Sequence, residues 1–237
     1  MKKHRALWVI LIVVVVLAAA AAGVWYWLSS RTAQAEQLHQ TVYAQYETMT
    51  AAVGQAALTV TEDGSPAGEY DLQALGLYDD LMNKVTAQFS ETDRMTDEQF
   101  AALGIREKLD WAEREHAAPY ACTVSMDKFD AAAVLADLRS MKRTAPESAY
   151  TTLEDGVYTV HAEVPGTELN EAAVLDGLRA AASALGVTAD GPQDAEFELT
   201  SVDCYKQPDI TTETLRDTPD SLFRTALAEL EVKVTFN

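Results

Sequence analysis

The chain has 237 residues, 48% of them hydrophobic, and 18 Lys and Arg stand against 37 Asp and Glu for a formal net charge of −19. That length has room for a membrane segment and one or two modest domains, each able to bury a core. The acidic balance argues against nucleic acid and anionic lipid head groups as partners.

Ala6 to Leu28 carries no charge, and as a helix it is long enough to cross a hydrocarbon core of about 30 Å. Lys2, Lys3 and Arg5 precede it, and Trp25, Tyr26 and Trp27 close it. The positive-inside rule and the interfacial preference of aromatic rings then predict a cytoplasmic tail at 1–5, a single-pass signal-anchor at 6–28, and an extracytoplasmic remainder. Ala33-Gln34-Ala35 offers small residues for signal cleavage, but the apolar run is longer than the usual core of a signal peptide. Beyond Leu28 there are 15 basic and 37 acidic residues, a charge of −22. Solubility in a crowded envelope accounts for it, and so does selection for cationic or amine-bearing ligands.

Residues 29–118 read as a stalk helix, a hairpin and a helical region. Leu38, Val42, Tyr46, Met49 and Val53 recur at helical spacing. Leu58-Thr59-Val60 and Glu69-Tyr70-Asp71-Leu72 flank a turn-rich stretch and predict a β-hairpin. Thr96 and Gln99 form a capping box ahead of one helix from about Asp97 to His116, with Arg106-Glu107-Lys108 as a solvated face. Ala117 to Pro119 is a candidate boundary.

Residues 119–237 predict an α+β domain of order β-α-β-α-β-α-β, one helical layer on one sheet. Its strands are Tyr120–Val124, Val157–Val164, a stretch around Phe197 and Leu199, and Val232–Phe236. In the second, Tyr158, Val160, Ala162 and Val164 share one face and Thr159, His161 and Glu163 the other. Asp127, Asn170 and Thr218 are the helix caps, and Val174, Leu178, Ala181 and Leu185 form the stripe of the middle helix. Cys122 and Cys204 both fall in the exported part, where a disulfide can persist; two buried free thiols are the alternative.

At these residues the second half resembles the peptidoglycan-binding domain that precedes the catalytic domain of membrane-anchored, YkuD-type L,D-transpeptidases of Gram-positive bacteria, a domain also found in some VanW-type proteins. The family pattern is similar to Pro146, Ala149-Tyr150, Val157-Tyr158 and Glu163-Val164-Pro165-Gly166-Thr167-Glu168-Leu169-Asn170, followed by Phe197-Glu198-Leu199 and Cys204-Tyr205-Lys206-Gln207-Pro208-Asp209-Ile210-Thr211. The match covers about 120–237 well and 57–118 only loosely. It implies a membrane-anchored module that binds or spaces against peptidoglycan or its stem peptides, beside other cell-wall synthesis proteins. An envelope scaffold that contacts protein and no glycan is the alternative.

Neither cysteine stands in the Ser-x-Gly-Cys context of the transpeptidase nucleophile, so no such activity is carried over and the chain is expected to be no enzyme. A zinc-type CxxC pair, a Gly-rich phosphate loop and a Gly-x-Ser-x-Gly or Ser-x-x-Lys arrangement are missing from the sequence, and no cofactor is expected. His161 and Glu163, two apart on one strand face, have a spacing that suits a metal or a wall amine, or simply a solvated face. Tyr158, Tyr205, Glu163, Glu196 and Glu198 are the candidate wall-facing surface, since aromatic faces stack on sugars and carboxylates pair with stem-peptide amines. Core packing of both tyrosines is the competing expectation.

Overall fold

The computed structural model describes residues 2–114, 116, 120–155, 157–200 and 203–217, without the side chains of 2–11, 153, 157, 158, 216 and 217. The expected helix from Thr218 and strand at Val232–Phe236 lie outside the described residues, as do Ala117 to Pro119 of the candidate boundary. The chain is a mixed α+β protein of two compact units interleaved in sequence: unit 1 comprises 1–56, 78–124 and 186–193, and unit 2 the rest.

Unit 1 is built on α1, Lys2–Val53, a single helix of 52 residues. At 1.5 Å per residue it is about 78 Å long. Val13 to Leu17 and Val24 to Trp27 on it are more than half exposed among the described residues, an open apolar surface. Farther along, Ala35, His39, Val42, Met49, Ala52 and Val53 are buried. The stripe thus begins at Ala35 and passes by the expected first member: Leu38 is 37% exposed, and His39 takes the interior place.

Helices α2 (Tyr78–Gln88), α3 (Asp97–Ala101) and α4 (Ile105–Ala112) pack against this half of α1. The expected single helix from Asp97 is two helices. Thr96 and Gln99 do form the capping box. Gly104, however, is extended at φ −64°, ψ 154°, and donates its N–H to the Glu107 carboxylate at 2.8 Å, which starts a second helix. Lys108 is no solvated charge: it is 6% exposed and donates to Glu36 at 2.6 Å and to the Ala101 carbonyl at 2.7 Å. A three-stranded antiparallel sheet, β3 (Ala121–Thr123), β6 (Gly186–Thr188) and β7 (Gly191–Gln193), completes the unit.

Unit 2 has a mixed three-stranded sheet. Strands β1 (Ala57–Glu62) and β2 (Ser65–Asp71) form the expected hairpin, but its turn is only Asp63-Gly64, both at positive φ (50° and 72°) as a tight two-residue turn requires. Pro66 falls within β2 and is tolerated because β2 is an edge strand. The third strand, β8 (Ala195–Leu199), joins β1 in parallel with Leu58 opposite Ala195.

This pairing corrects the expected β-α-β-α-β-α-β order on one sheet. The strand at Cys122 belongs to unit 1, β8 extends the N-terminal hairpin, and β4 (Tyr150–Glu154) and β5 (Val157–His161) make a two-stranded sheet of their own. Strand β5 stops at His161; Val164 returns to make a single antiparallel bridge with Glu147.

Three residues separate helix α5 (Ala132–Ser140) from the 3-10 turn holding Asp127, and Asp130 rather than Asp127 accepts the N–H of Ala132 at 2.8 Å. Helix α6 (Glu171–Ala182) is capped by Asn170 as expected and buries Val174, Leu178 and Ala182. It lies against β8 closely enough that a Cβ on Gly177 would come 2.3 Å from the Phe197 ring. Helix α7 (Thr212–Asp217) follows.

Gly166 is required by close approach. Its φ is not positive, yet a Cβ there would lie 2.4 Å from the backbone N of Pro146 and 2.5 Å from the carbonyl O of Thr144. The segment after it is bound on both sides: Thr167 and Glu168 donate to Thr144 O, Asn170 N–H to Cys204 O, and Lys206 N–H to Glu168 O. Because those neighbours are backbone and cannot rotate away, Gly166→Ala should weaken unit 2 by about 1–3 kcal/mol, read as lost amide-exchange protection in β1. Full protection in the variant would contradict the close approach.

Candidate functional site

The residues singled out in the sequence do not gather into one site. His161, at the end of β5, stacks on Tyr150 of β4 with ring centroids 4.5 Å apart and planes 12° apart, and its Nε2 lies 3.0 Å from the Thr152 hydroxyl. Glu163, just past the strand, accepts from the N–H of Thr212 at 2.7 Å and from the Thr212 hydroxyl at the start of α7. That hydroxyl, followed by backbone N–H groups, holds the Glu163 carboxyl below the ordinary range. The two side chains thus share no partner, because the strand ends between them. Among the described residues no group of three or more His, Cys, Asp or Glu is placed to hold a metal.

Glu196 and Glu198 alternate outward along β8, where Ala195, Phe197 and Leu199 are less exposed. Glu196 faces the Thr61 hydroxyl at 3.5 Å, and both carboxylates stay on the solvent side. The backbone of Tyr158 pairs with Leu153 in the β4-β5 hairpin, and its side chain lies outside the described residues. Tyr205 corrects the expected ligand surface. It is 5% exposed, with its hydroxyl donating to Glu62, so its ring offers no open face.

The polar cluster that does form was not legible in the sequence. Glu62, at the end of β1, accepts from Tyr205 and from the Arg143 guanidinium, and Arg143 also donates to the Leu138 carbonyl at 3.2 Å. Arg143 and Glu62 side chains are 12% and 22% exposed. Burial raises the Glu62 pKa, but the hydrogen bonds from Tyr205 and Arg143 outweigh it and leave the carboxyl below its ordinary value. Burial, and then the bond to Glu62, push the Tyr205 hydroxyl above its ordinary value.

Beside this cluster, a cleft of about 490 Å³ opens at the N-terminal end of α6. Arg139, Arg143 and Lys206 line it together with Glu168, Asn170 and Glu171. Arg139 forks onto Glu171 with bonds of 2.7 and 2.8 Å, and Lys206 pairs with Glu168. The Arg139 hydrogen bonds draw the Glu171 carboxyl below its ordinary value, and the bond to Glu168 raises the Lys206 ammonium. Arg139 and Arg143 are four apart around the end of α5, but Lys206 reaches them only because the turn after Cys204 folds back along Glu168 to Asn170.

Both cysteines are free thiols. Cys122 is buried in unit 1 with its Sγ donating to Gln88 Oε1 at 3.1 Å, and Cys204 is buried in unit 2. The disulfide expectation is thereby corrected: each sulfur is part of a separate core. Burial pushes the Cys122 thiol above its ordinary value, against the smaller opposing pull of Lys84. Thiol labelling of the denatured, unreduced chain should modify two sulfurs; none would contradict free thiols.

No family model, no curated protein and no solved structure matches the chain.

Glu62 also sets an acid dependence. Its folded pKa is below the ordinary 4.5, so its contribution to stability is present above that value and is lost as pH falls through the folded pKa. Glu62→Gln should weaken unit 2 by about 1.5–3 kcal/mol at neutral pH and flatten the loss of exchange protection on the acid side. An unchanged acid slope would show that Glu62 carries none of it.

Proposed function

We propose that the chain is a membrane-anchored, extracytoplasmic and non-catalytic module that binds or spaces against peptidoglycan in an L,D-transpeptidase-like cell-wall protein. The observation that carries the reading is α1. One helix bears an uncovered apolar surface at one end and a buried stripe of unit 1 at the other, with no break between them. A helix long and apolar enough to cross a membrane, continuous with a folded core, acts as an anchor that also organises the domain. The Lys2, Lys3 and Arg5 flank favours a cytoplasmic N-terminus.

The wall as ligand is supported by the ordered resemblance from Pro146 to Thr211 and by the hairpin β4-β5. Tyr150 is 52% exposed there and stacked on His161, a flat and partly open aromatic pair of the kind that stacks on sugar rings. Thr152 fixes the imidazole, so the pair is preorganised. The acidic exterior suits amine-bearing stem peptides.

The test is co-sedimentation of the detergent-solubilised full chain with purified sacculi. Retention should survive high salt, which screens exposed charges, and Tyr150→Ala with His161→Ala should lower it by about tenfold, equivalent to 1.4 kcal/mol. Absence of retention would end the wall reading in favour of a protein-contacting scaffold. Product formation from muropeptides would end the non-catalytic one.

A further inference from the structure

We propose that the cleft at the N-terminal end of α6 binds the zwitterionic head of an amino acid or short peptide, carboxylate toward Arg139 and Lys206 and ammonium toward Glu168 and Glu171. This site stands independently of the anchor and of the wall as ligand.

Its charge is the first argument. The whole chain has 37 acidic residues and 18 basic ones, so a random cleft in it should be acidic. Among the described side chains of unit 2 there are six Lys and Arg, at 128, 139, 142, 143, 179 and 206, and three of them line this one cleft. The positive end of the twelve-residue α6 opens into the same space and adds to the preference for a carboxylate.

The partners of those cations decide the ligand class. A simple anion would meet Glu168 and Glu171 as well as the cations, and a simple cation would meet three positive groups and the helix end. A zwitterion satisfies both. It can enter each half-exposed pair and replace one protein ion pair by two protein-ligand pairs, leaving no charge unmatched. Arg139 with Glu171, and Lys206 with Glu168, are each about half exposed, so solvent screens them and their exchange is not opposed by burial. Arg143 is different: held by Glu62 and largely buried, it stays in place and maintains the positive potential when the outer pairs open.

Size agrees. A volume of about 490 Å³ falls within the 300–1,000 Å³ usual for small-molecule sites. The amino and carboxyl groups of a peptide are both charged near neutral pH, since their ordinary pKa values are about 8 and 3.5.

The experiment is a titration of the full chain in detergent micelles, following the backbone amide signals of Leu169 to Glu171. The probes are glycylglycine, N-acetylglycylglycine and glycylglycinamide, which carry both charges, only the negative one and only the positive one. Glycylglycine should saturate in the millimolar range, and the two blocked forms should bind at least about tenfold more weakly. Arg139→Gln, at a half-exposed position whose variant should keep the native amide spectrum, should weaken glycylglycine by about the same factor. No saturation by glycylglycine at about 50 mM, equal binding of either blocked form, or an Arg139→Gln variant that binds as the native chain does would each overturn the proposal. Retention on sacculi without dipeptide binding would leave the wall reading intact and end only this one.

Discussion

The carboxylate of Glu62 binds together three segments of unit 2 that are remote in sequence. It ends β1, and it accepts from Arg143 beyond α5 and from Tyr205 in the turn before α7. A carboxylate with its side chain 22% exposed loses much of its hydration, and that loss is compensated only while both donors stay in place. The constraint is mutual, because a largely buried guanidinium would be equally costly without Glu62. Hydrogen bonds of this kind depend on position more than a hydrophobic contact does, so they fix where the chain passes as well as whether it folds.

That fixed path is what makes the cleft. With Arg143 held, the backbone from Thr144 to Glu147 lies against Val164 to Glu168, and the absence of a side chain at Gly166 lets the two main chains meet. The turn after Cys204 then closes on the other side through the amides of Asn170 and Lys206. Arg139 and Lys206, from separate elements, are carried to the start of α6 along with Glu171 and Glu168, which neutralise them. The result is a polar concavity of mixed charge within an acidic protein, held by the Glu62 bonds and by backbone clamping.

In unit 1 the organising element is α1, whose two ends face different environments. Its apolar surface from Val13 to Tyr26 is exposed among the described residues, while the stripe from Ala35 to Val53 is interior. At that interior stripe His39 stacks on Phe100 at 3.9 Å and approaches Trp111 edge-on at 5.4 Å, and its Nε2 donates to the Thr92 carbonyl at 3.0 Å. Asp93 takes the Trp111 indole N–H at 2.7 Å and the Ser90 N–H at the same distance. Polar residues enter this core because each brings a ring or a hydrogen bond that the neighbouring aromatics and loop amides can use.

Local chemistry was legible from the sequence wherever a few neighbouring residues decide it. The apolar run, the existence of the β1-β2 hairpin, the Thr96–Gln99 capping box, the Asn170 cap and most of the helical stripes are all governed by side-chain period, turn-forming residues or a hydrogen bond within one turn. The candidate site was far less legible. His161 and Glu163 share a strand parity, but where β5 ends and which partners lie across from it are set by Tyr150, Thr152 and Thr212, from other elements. Whether Tyr205 was an open aromatic or a core residue was decided by Glu62, 143 residues away, which accepts the hydrogen bond from its hydroxyl. The sequence by itself determined the long apolar helix, the acidic balance and the helix and turn signals, because propensity and periodicity act over a few residues. Only the tertiary structure decided that β8 pairs in parallel with β1, that the two cysteines are buried apart, and that Arg139, Arg143 and Lys206 face one cleft. Those outcomes depend on long-range pairing and on the compensation of buried charge, which no local pattern encodes.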